Sequence, residues 1–398
     1  MQHSPSSANT SEALKLSPKL TKVQALAQAL VRIKSVTPND NGCQKLIREK
    51  LEKAGFHCET LQEKGTTNLL AIHGNTRPFA MFLGHTDVVP EGDHCQWDHD
   101  PYCGDIYELD GEPCLYGRGS ADMKGGDAAM TEALLQFVQE HPEHKGSVGL
   151  LITSNEEGDA VGGVPFCVEY LKEHDLIPDY CLIPEPSSVK TFGDEIKNGR
   201  RGDVNVTITV HGIQGHVAVP ESCDNAAHHA ARLICALIDN PCDLGSEFFP
   251  PTSFQVSNCR CGTGADNVVP GTYTMRCNFR FNDLQSFESI KKHVCEIADN
   301  LHIKCDYDWS YEGPYFLTKG GKLLDIMKTC VTEVMGREPV FTTSGGTSDG
   351  RFIAPLGVET MEFGPITETI HRANEHVSLS SLQQLQEIYV KALTKLMA

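Results

Sequence analysis

Short apolar runs that alternate with helical patterns constrain the fold of this chain more than any other feature. Residues 68–73, 79–84, 147–153 and 180–184 are apolar stretches bounded by Gly, Pro or Asn. Helical spacing fills the intervals at 127–139 and 164–173, and precedes them at 20–33 and 43–54. Strands apolar on both faces need cover on both sides, which interleaved helices supply, so the pattern predicts an α/β sheet. The middle of the chain reads differently. Residues 203–211 alternate, with Val204, Val206, Ile208 and Val210 on one face. A helix at 225–238, strands at 253–259 and 272–282, a helix at 286–300 and a strand at 302–309 complete the order β-α-β-β-α-β. That order is the split βαβ of a ferredoxin-like sandwich, predicting a separate α+β domain over 202–314 inserted into the first. The α/β pattern resumes with a helix at 321–335, a strand at 358–363 and a closing helix at 379–397. The first domain is therefore expected over 18–201 and 315–398, behind a mobile polar arm at 1–17 that carries Ser4, Pro5, Ser6, Ser7 and Ser11.

Charge narrows the partners. A formal net charge of -19 argues against nucleic acid or an anionic membrane, because phosphate backbones are bound through basic patches. It leaves room for a small anionic substrate, since salt screens distant charge and a few local arginines dominate nearby. No apolar run approaches the ~18–20 residues that a membrane span needs. Sixteen cysteines form no disulfide framework and no C-x-x-C knuckle, Cys259 and Cys261 being the tightest pair. Together with the lack of a basic-apolar leader, this predicts reduced thiols in a cytoplasmic protein.

Four of the expected strands run into acidic or imidazole side chains. The run at 80–84 leads into His85-Thr86-Asp87, the run at 149–153 into Asn155-Glu156-Glu157, and the run at 180–184 into Glu185. The strand at 358–363 continues through a short loop to His371. Open α/β sheets bind ligands beyond the carboxyl ends of their strands, so these groups can meet in one crevice. A fifth piece, YGRGSADMKGG, places Asp122 in a Gly-rich turn before a helix. Singly, each signal is weak: a lone His at a strand end is more often a satisfied core or surface residue, and adjacent glutamates are usually a solvated patch. Jointly they form a donor set of two His, three carboxylates and a spare Glu, which suits a borderline-soft metal, zinc first, rather than an all-oxygen calcium or magnesium cage. Asp87, two residues from His85 along an extended chain, points the same way and is placed to hold the imidazole.

From residue 20 onward the stretches HTDVVPEGDHCQWDHDPY, LYGRGSADMKGG, TSNEEG, PEPSS, IKNGRRG, GIQGHVAVP, SGGTSDGRF and IHRANEHV resemble the co-catalytic zinc aminoacylase/carboxypeptidase superfamily. IKNGRRG, GIQGHVAVP and SGGTSDGRF favour its succinyl-diaminopimelate desuccinylase branch. The resemblance implies a mixed-sheet α/β catalytic domain of zinc-peptidase type with an inserted ferredoxin-like α+β dimerisation domain. It implies two zinc ions per subunit, replaceable by cobalt, with His85 and Glu185 on one, Glu157 and His371 on the other and Asp122 bridging both. It further implies a cis peptide at Asp122–Met123 and Glu156 as general base. A histidine matching His216 would enter the active site of the partner in a homodimer. Arg200, Asn267, Arg280, Gly346 and Thr347 fall where the substrate is usually held. The expected reaction is hydrolysis of N-succinyl-LL-2,6-diaminopimelate in lysine and cell-wall precursor biosynthesis.

Three positions depart from the pattern of that branch: Asp203, where a serine is common, and Asp266 and Thr367, where asparagines are usual. All three bear on substrate rather than on metal. Two other readings follow. One is a related zinc enzyme acting on another N-acyl amino acid, such as acetyl-ornithine, or on a dipeptide. The other is a non-catalytic binding or scaffold protein on the same fold, against which the complete ligand set speaks.

Overall fold

A computed structural model describes residues 14–109 and 111–397. The chain divides into two compact units, the first comprising residues 1–196, 320–340 and 357–398 and the second residues 197–319 and 341–356.

The first unit is organised on a mixed sheet whose order is Val340–Thr342, Glu195–Lys197, Glu359–Glu362, Tyr180–Ile183, Phe79–His85, Ser147–Thr153, Thr66–His73 and His57–Glu63. Glu359–Glu362, Tyr180–Ile183, Phe79–His85 and Ser147–Thr153 are consecutive parallel neighbours. Thr66–His73 and His57–Glu63 turn antiparallel at the far edge. Every residue of Phe79–His85 and of Ser147–Thr153 is buried, as expected of central strands covered on both faces. Among the covering helices, Gly125–Glu140 packs on Lys22–Val31 and on Leu379–Leu396, which also meets Lys322–Met335.

A second, four-stranded antiparallel sheet runs Lys15–Leu16, Ile106–Leu109, Glu112–Tyr116 and His376–Ser378. It corrects the expectation of a mobile arm through residue 17, because Lys15 pairs with Tyr107 and Leu16 with Ile106. The remainder of that arm, residues 1–13, lies outside the described residues.

The second unit contains the ferredoxin-like sandwich. Gly202–His211, Ala226–Asp239, Ser253–Cys261, Thr272–Phe281, Phe287–Asn300 and Cys305–Gly313 follow in the order β-α-β-β-α-β. Numbered within the unit, the antiparallel strands lie 4-1-3-2 across the sheet. Val204, Val206, Ile208 and Val210 face a core shared with Leu233, Met275, Phe279, Ile290 and Val294. Three stretches expected with the first domain, 197–201, 315–319 and 341–356, cluster with the second unit. In the last of them Thr343 donates to the carbonyl of Phe248 at 2.6 Å and Ser344 accepts from Lys197 at 2.9 Å.

Candidate metal and catalytic site

The parallel register delivers four candidate residues to one edge of the first unit's sheet. Phe79–His85 ends on His85 itself, paired with Thr153, whose strand leads into Glu156 and Glu157; Tyr180–Ile183 leads through Pro184 to Glu185. The small sheet contributes the rest. Tyr116 pairs with His376, so the turn after one strand, carrying Asp122, and the loop before the other, carrying His371, enter side by side. His371 and Asn374 both hold left-handed backbone, with φ of 59° and 63°. The Asn374 side chain fixes that loop by accepting from the Tyr116 hydroxyl at 2.6 Å and from the Asp98 amide at 2.9 Å. Non-glycine residues persist in such conformations only where surroundings over-determine them.

The five expected ligands converge. His85 Nε2 lies 3.3 Å from Asp122 Oδ1 and 3.4 Å from Glu185 Oε1. His371 Nε2 lies 3.3 Å from the other Asp122 oxygen, Oδ2, and 3.0 Å from Glu157 Oε1. Asp122 thus faces both histidines, one with each oxygen. Ligand-type atoms of His85, Asp122 and Glu157 lie within 4.8 Å of one another, as do those of His85, Glu156 and Glu185. The Asp122–Met123 peptide is cis.

Whether a metal fits can be judged from His85. Its Nε2 is buried and makes no hydrogen bond, although two carboxylate oxygens are close by. Burial works against charge on this ring, but Asp122 and Glu185 raise it well above its usual range, so a cation, whether a proton or a metal ion, is required among them. Nδ1 is held by the Asp87 carbonyl at 2.8 Å, which leaves Nε2 as the ligating atom. The charge balance agrees. Burial, and then the neighbouring Asp122, push the Glu185 carboxyl up to about 7. Hydrogen bonds to Asp122 and Glu157 hold His371 up at about 10. Burial works against the charge on Asp122, but His371 and His85 together hold its carboxyl well below the usual range. Carboxylates and imidazoles arranged this way compensate one another and retain a donor set suited to zinc.

Asp87 performs a different task from the one its spacing predicts. Its carboxylate stands 3.7 Å from His85 Nδ1, too far to be the main support of the ring. Instead Oδ1 accepts from the Glu156 amide at 3.3 Å and Oδ2 from the Glu157 amide at 3.1 Å. The alternation of an extended chain gives the side on which Asp87 lies, but the backbone carbonyl of the same residue reaches the ring first.

The remaining candidates belong to the second unit. His216 sits on a two-residue strand paired with Val268–Val269, is exposed, and accepts from the Ala218 amide at 3.0 Å. The carbonyl of Asn267 accepts from the Val217 amide at 3.1 Å, which brings Asn267 beside His216. The segment 341–356 gathers the others. Arg200 donates to the Ser344 carbonyl at 2.9 Å, and Arg280 donates to the Thr347 hydroxyl at 2.5 Å. Gly346 has open space where a side chain would stand. Asp203 lies directly opposite Arg280 in the sheet and pairs with it at 3.1 Å, while Asn278 donates to its other oxygen at 2.6 Å. Burial raises the Asp203 carboxyl, with Arg280 acting against that rise.

Asp127 and Glu375 are among the buried carboxylates of the first unit that escaped sequence reasoning. Asp127 is fully buried beside Gly84, with neither oxygen hydrogen-bonded, and burial drives its carboxyl far towards the neutral form. Glu375 is fully buried beneath the Asp122 turn. Asp127 lies within a helical pattern and Glu375 in a polar loop motif, and neither context signals a buried acid.

The family model for Peptidase family M20/M25/M40 matches residues 81–395. The succinyl-diaminopimelate desuccinylase of Nitrosospira multiformis is 47% identical over 370 residues, covering 93% of this chain and 97% of that protein. The enzyme of the same name from Halorhodospira halophila is 46% identical over 373 residues, covering 94% and 98%. Among solved structures, a tripeptidase from Staphylococcus aureus superposes with a TM-score of 0.75 at 22% identity, covering 94% of this chain and 98% of that one. An M20 family metallo-carboxypeptidase from Sulfolobus solfataricus gives a TM-score of 0.75 at 16% identity over 95% and 99%.

Proposed function

This chain belongs to Peptidase family M20/M25/M40, and from that premise we propose that it is a zinc-dependent amidohydrolase that cleaves N-succinyl-LL-2,6-diaminopimelate to succinate and LL-diaminopimelate. The observation that carries the chemistry is the buried, hydrogen-bond-free Nε2 of His85 among Asp122 and Glu185, beside the His371–Asp122–Glu157 cluster. The substrate rests on relatives of that name at 46–47% identity over nearly the whole chain.

His85 and Glu185 would hold one zinc ion, Glu157 and His371 a second, and Asp122 both. Two bound zinc ions supply a water of lowered pKa and polarisation of the scissile carbonyl. Glu156 takes the proton of the attacking water and passes it to the leaving amine, a role that its nearness to His85 and Glu185 supports. Asp87 steadies Glu156 and Glu157 through their amides. Arg200, Asn267, Arg280, Gly346 and Thr347 bind the substrate. Planar guanidinium groups suit its carboxylates, because they can donate to both oxygens at once.

We extend the reading to assembly and place. The exposed edge strand Ser253–Cys261 is a surface on which two copies can pair, supporting a homodimer in which His216 of the partner subunit stabilises the oxyanion. No helix among the described residues is long and apolar enough to cross a membrane, and the acidic charge disfavours nucleic acid, in keeping with a cytoplasmic enzyme of lysine and cell-wall precursor biosynthesis. A second reading, hydrolysis of another N-acyl amino acid or a dipeptide, draws on the buried carboxylate that Asp203 sets against Arg280. Chelation followed by stepwise return of zinc tests the primary reading. Turnover of N-succinyl-LL-2,6-diaminopimelate should vanish on stripping and return with zinc. Full turnover by stripped protein contradicts it.

A further inference from the structure

The geometry points to Glu375 as a positioning residue that shapes the zinc site through Asp122, an inference that rests on the metal reading above. Its side chain is wholly buried and accepts four hydrogen bonds. Oε1 takes the amides of Ala121 at 3.0 Å and Asp122 at 3.1 Å. Oε2 takes the amide of Gly119 at 3.0 Å and Arg118 Nη1 at 2.6 Å. Amides that converge in a turn form a concavity suited to an anion, and here a side-chain carboxylate fills it. The same turn is tied to the same loop twice more, by the Gly117 amide on the Glu375 carbonyl at 2.9 Å and by Arg118 Nη1 on the Arg372 carbonyl at 3.2 Å.

The ties join the two segments that must cooperate. One carries Asp122, and the other carries His371, four residues before Glu375. Asp122 can face His85 and His371 with separate oxygens only while its backbone stays at a fixed depth beside the His371 loop. Glu375 sets that depth by holding the Asp122 amide. Stability alone is a weak reason for the arrangement, because a buried Arg–carboxylate pair contributes no more than well-packed apolar groups of similar volume. Among the described residues Glu375 hydrogen-bonds to no candidate ligand side chain, and it acts through the backbone.

Glu375→Gln keeps the shape but turns one acceptor oxygen into a donor facing N–H groups, so one of the two pairs of bonds is lost. The full-length protein, stripped by chelator, is titrated with Zn²⁺ in competition with a chromophoric chelator and, separately, with Co²⁺ read by its visible absorption. Both titrations are run well below the melting temperature of each metal-free variant. The expected result is zinc affinity weaker by about 10–100-fold, with an altered Co²⁺ spectrum. A role confined to folding would lower the metal-free melting temperature and leave both metal readouts alone. A folded Glu375→Gln protein with wild-type zinc affinity and Co²⁺ spectrum overturns the inference. Should that variant not fold, Arg118→Lys decides, since it loosens the carboxylate yet leaves the three amides their acceptor. A smaller loss of zinc affinity in the same direction supports the inference, and wild-type affinity overturns it. Wild-type protein that takes up no zinc overturns the metal reading itself, a different outcome from two zinc ions bound alike by wild type and variant.

Discussion

Glu156 and Glu157 are neighbours whose amides share one carboxylate, Asp87, yet their assigned tasks differ. Glu156→Gln should keep both zinc ions while kcat falls by roughly 10²–10⁴-fold, the usual worth of a general base. Glu157→Gln should weaken one zinc, and added metal should restore part of its lost turnover. Metal content measured against turnover separates the two, and the opposite pattern means that the roles are exchanged. If Arg280 binds the substrate as proposed, Asp203, which pairs with it at 3.1 Å, bears on substrate choice. Asp203→Ser should leave zinc content unchanged and alter the ratio of kcat/KM among N-acyl substrates; unchanged ratios would remove Asp203 from substrate recognition. The convergence of His85, Asp122, Glu157, Glu185 and His371 was legible in the sequence because each follows an apolar run, its loop or a Gly-rich turn, which local pattern reveals. The carbonyl contact from Asp87 to His85 was not, since periodicity gives the side of a strand and not which atom arrives first. Glu375 was hidden because its four partners lie more than 250 residues away in sequence.

Long buried strands and amphipathic helices were readable almost to the residue, as Ser147–Thr153 and Val164–Glu173 demonstrate. Strong periodicity is a direct image of burial. Short or polar edge strands carry no such image. His57–Glu63 is half polar at the sheet edge, and His376–Ser378 has three residues, so neither was expected. The strand placed at 302–309 begins instead at Cys305, because His302 takes a left-handed turn, φ 54°, after the preceding helix. Segment 341–356 clusters with the second unit through non-local ties to Phe248 and Lys197, which no local pattern reveals. At this scale Phe279 gives the clearest test. It is 1% exposed in the core of the sandwich, between the sheet and its two helices. Phe279→Ala should cost about 3–5 kcal/mol of stability by the loss of apolar contact and the cavity left behind. Denaturant unfolding measures this, and a cost below about 1 kcal/mol would mean that the core re-packs around the gap.

At the scale of the molecule, Ser253–Cys261 and Cys305–Gly313 are the outer strands of the second unit's four-stranded sheet among the described residues, and a sandwich with such edges invites pairing. Sedimentation should therefore find a two-fold dimer, and His216→Ala should lower kcat without releasing zinc. A fully active monomer would remove both the dimer and the role of His216 of the partner subunit. A net charge of -19 does not by itself oppose an anionic substrate, since screening limits its reach to about 8–10 Å, within which the proposed substrate residues Arg200 and Arg280 would act. The proposed reaction is decided by a substrate panel on zinc-loaded protein. N-succinyl-LL-2,6-diaminopimelate, acetyl-ornithine and simple dipeptides would be compared by kcat/KM at one pH and zinc concentration. The succinyl substrate should lead by about a hundredfold or more, because a site that pairs several substrate carboxylates would leave its own groups unpaired with the others. A higher kcat/KM for acetyl-ornithine or a dipeptide would contradict it.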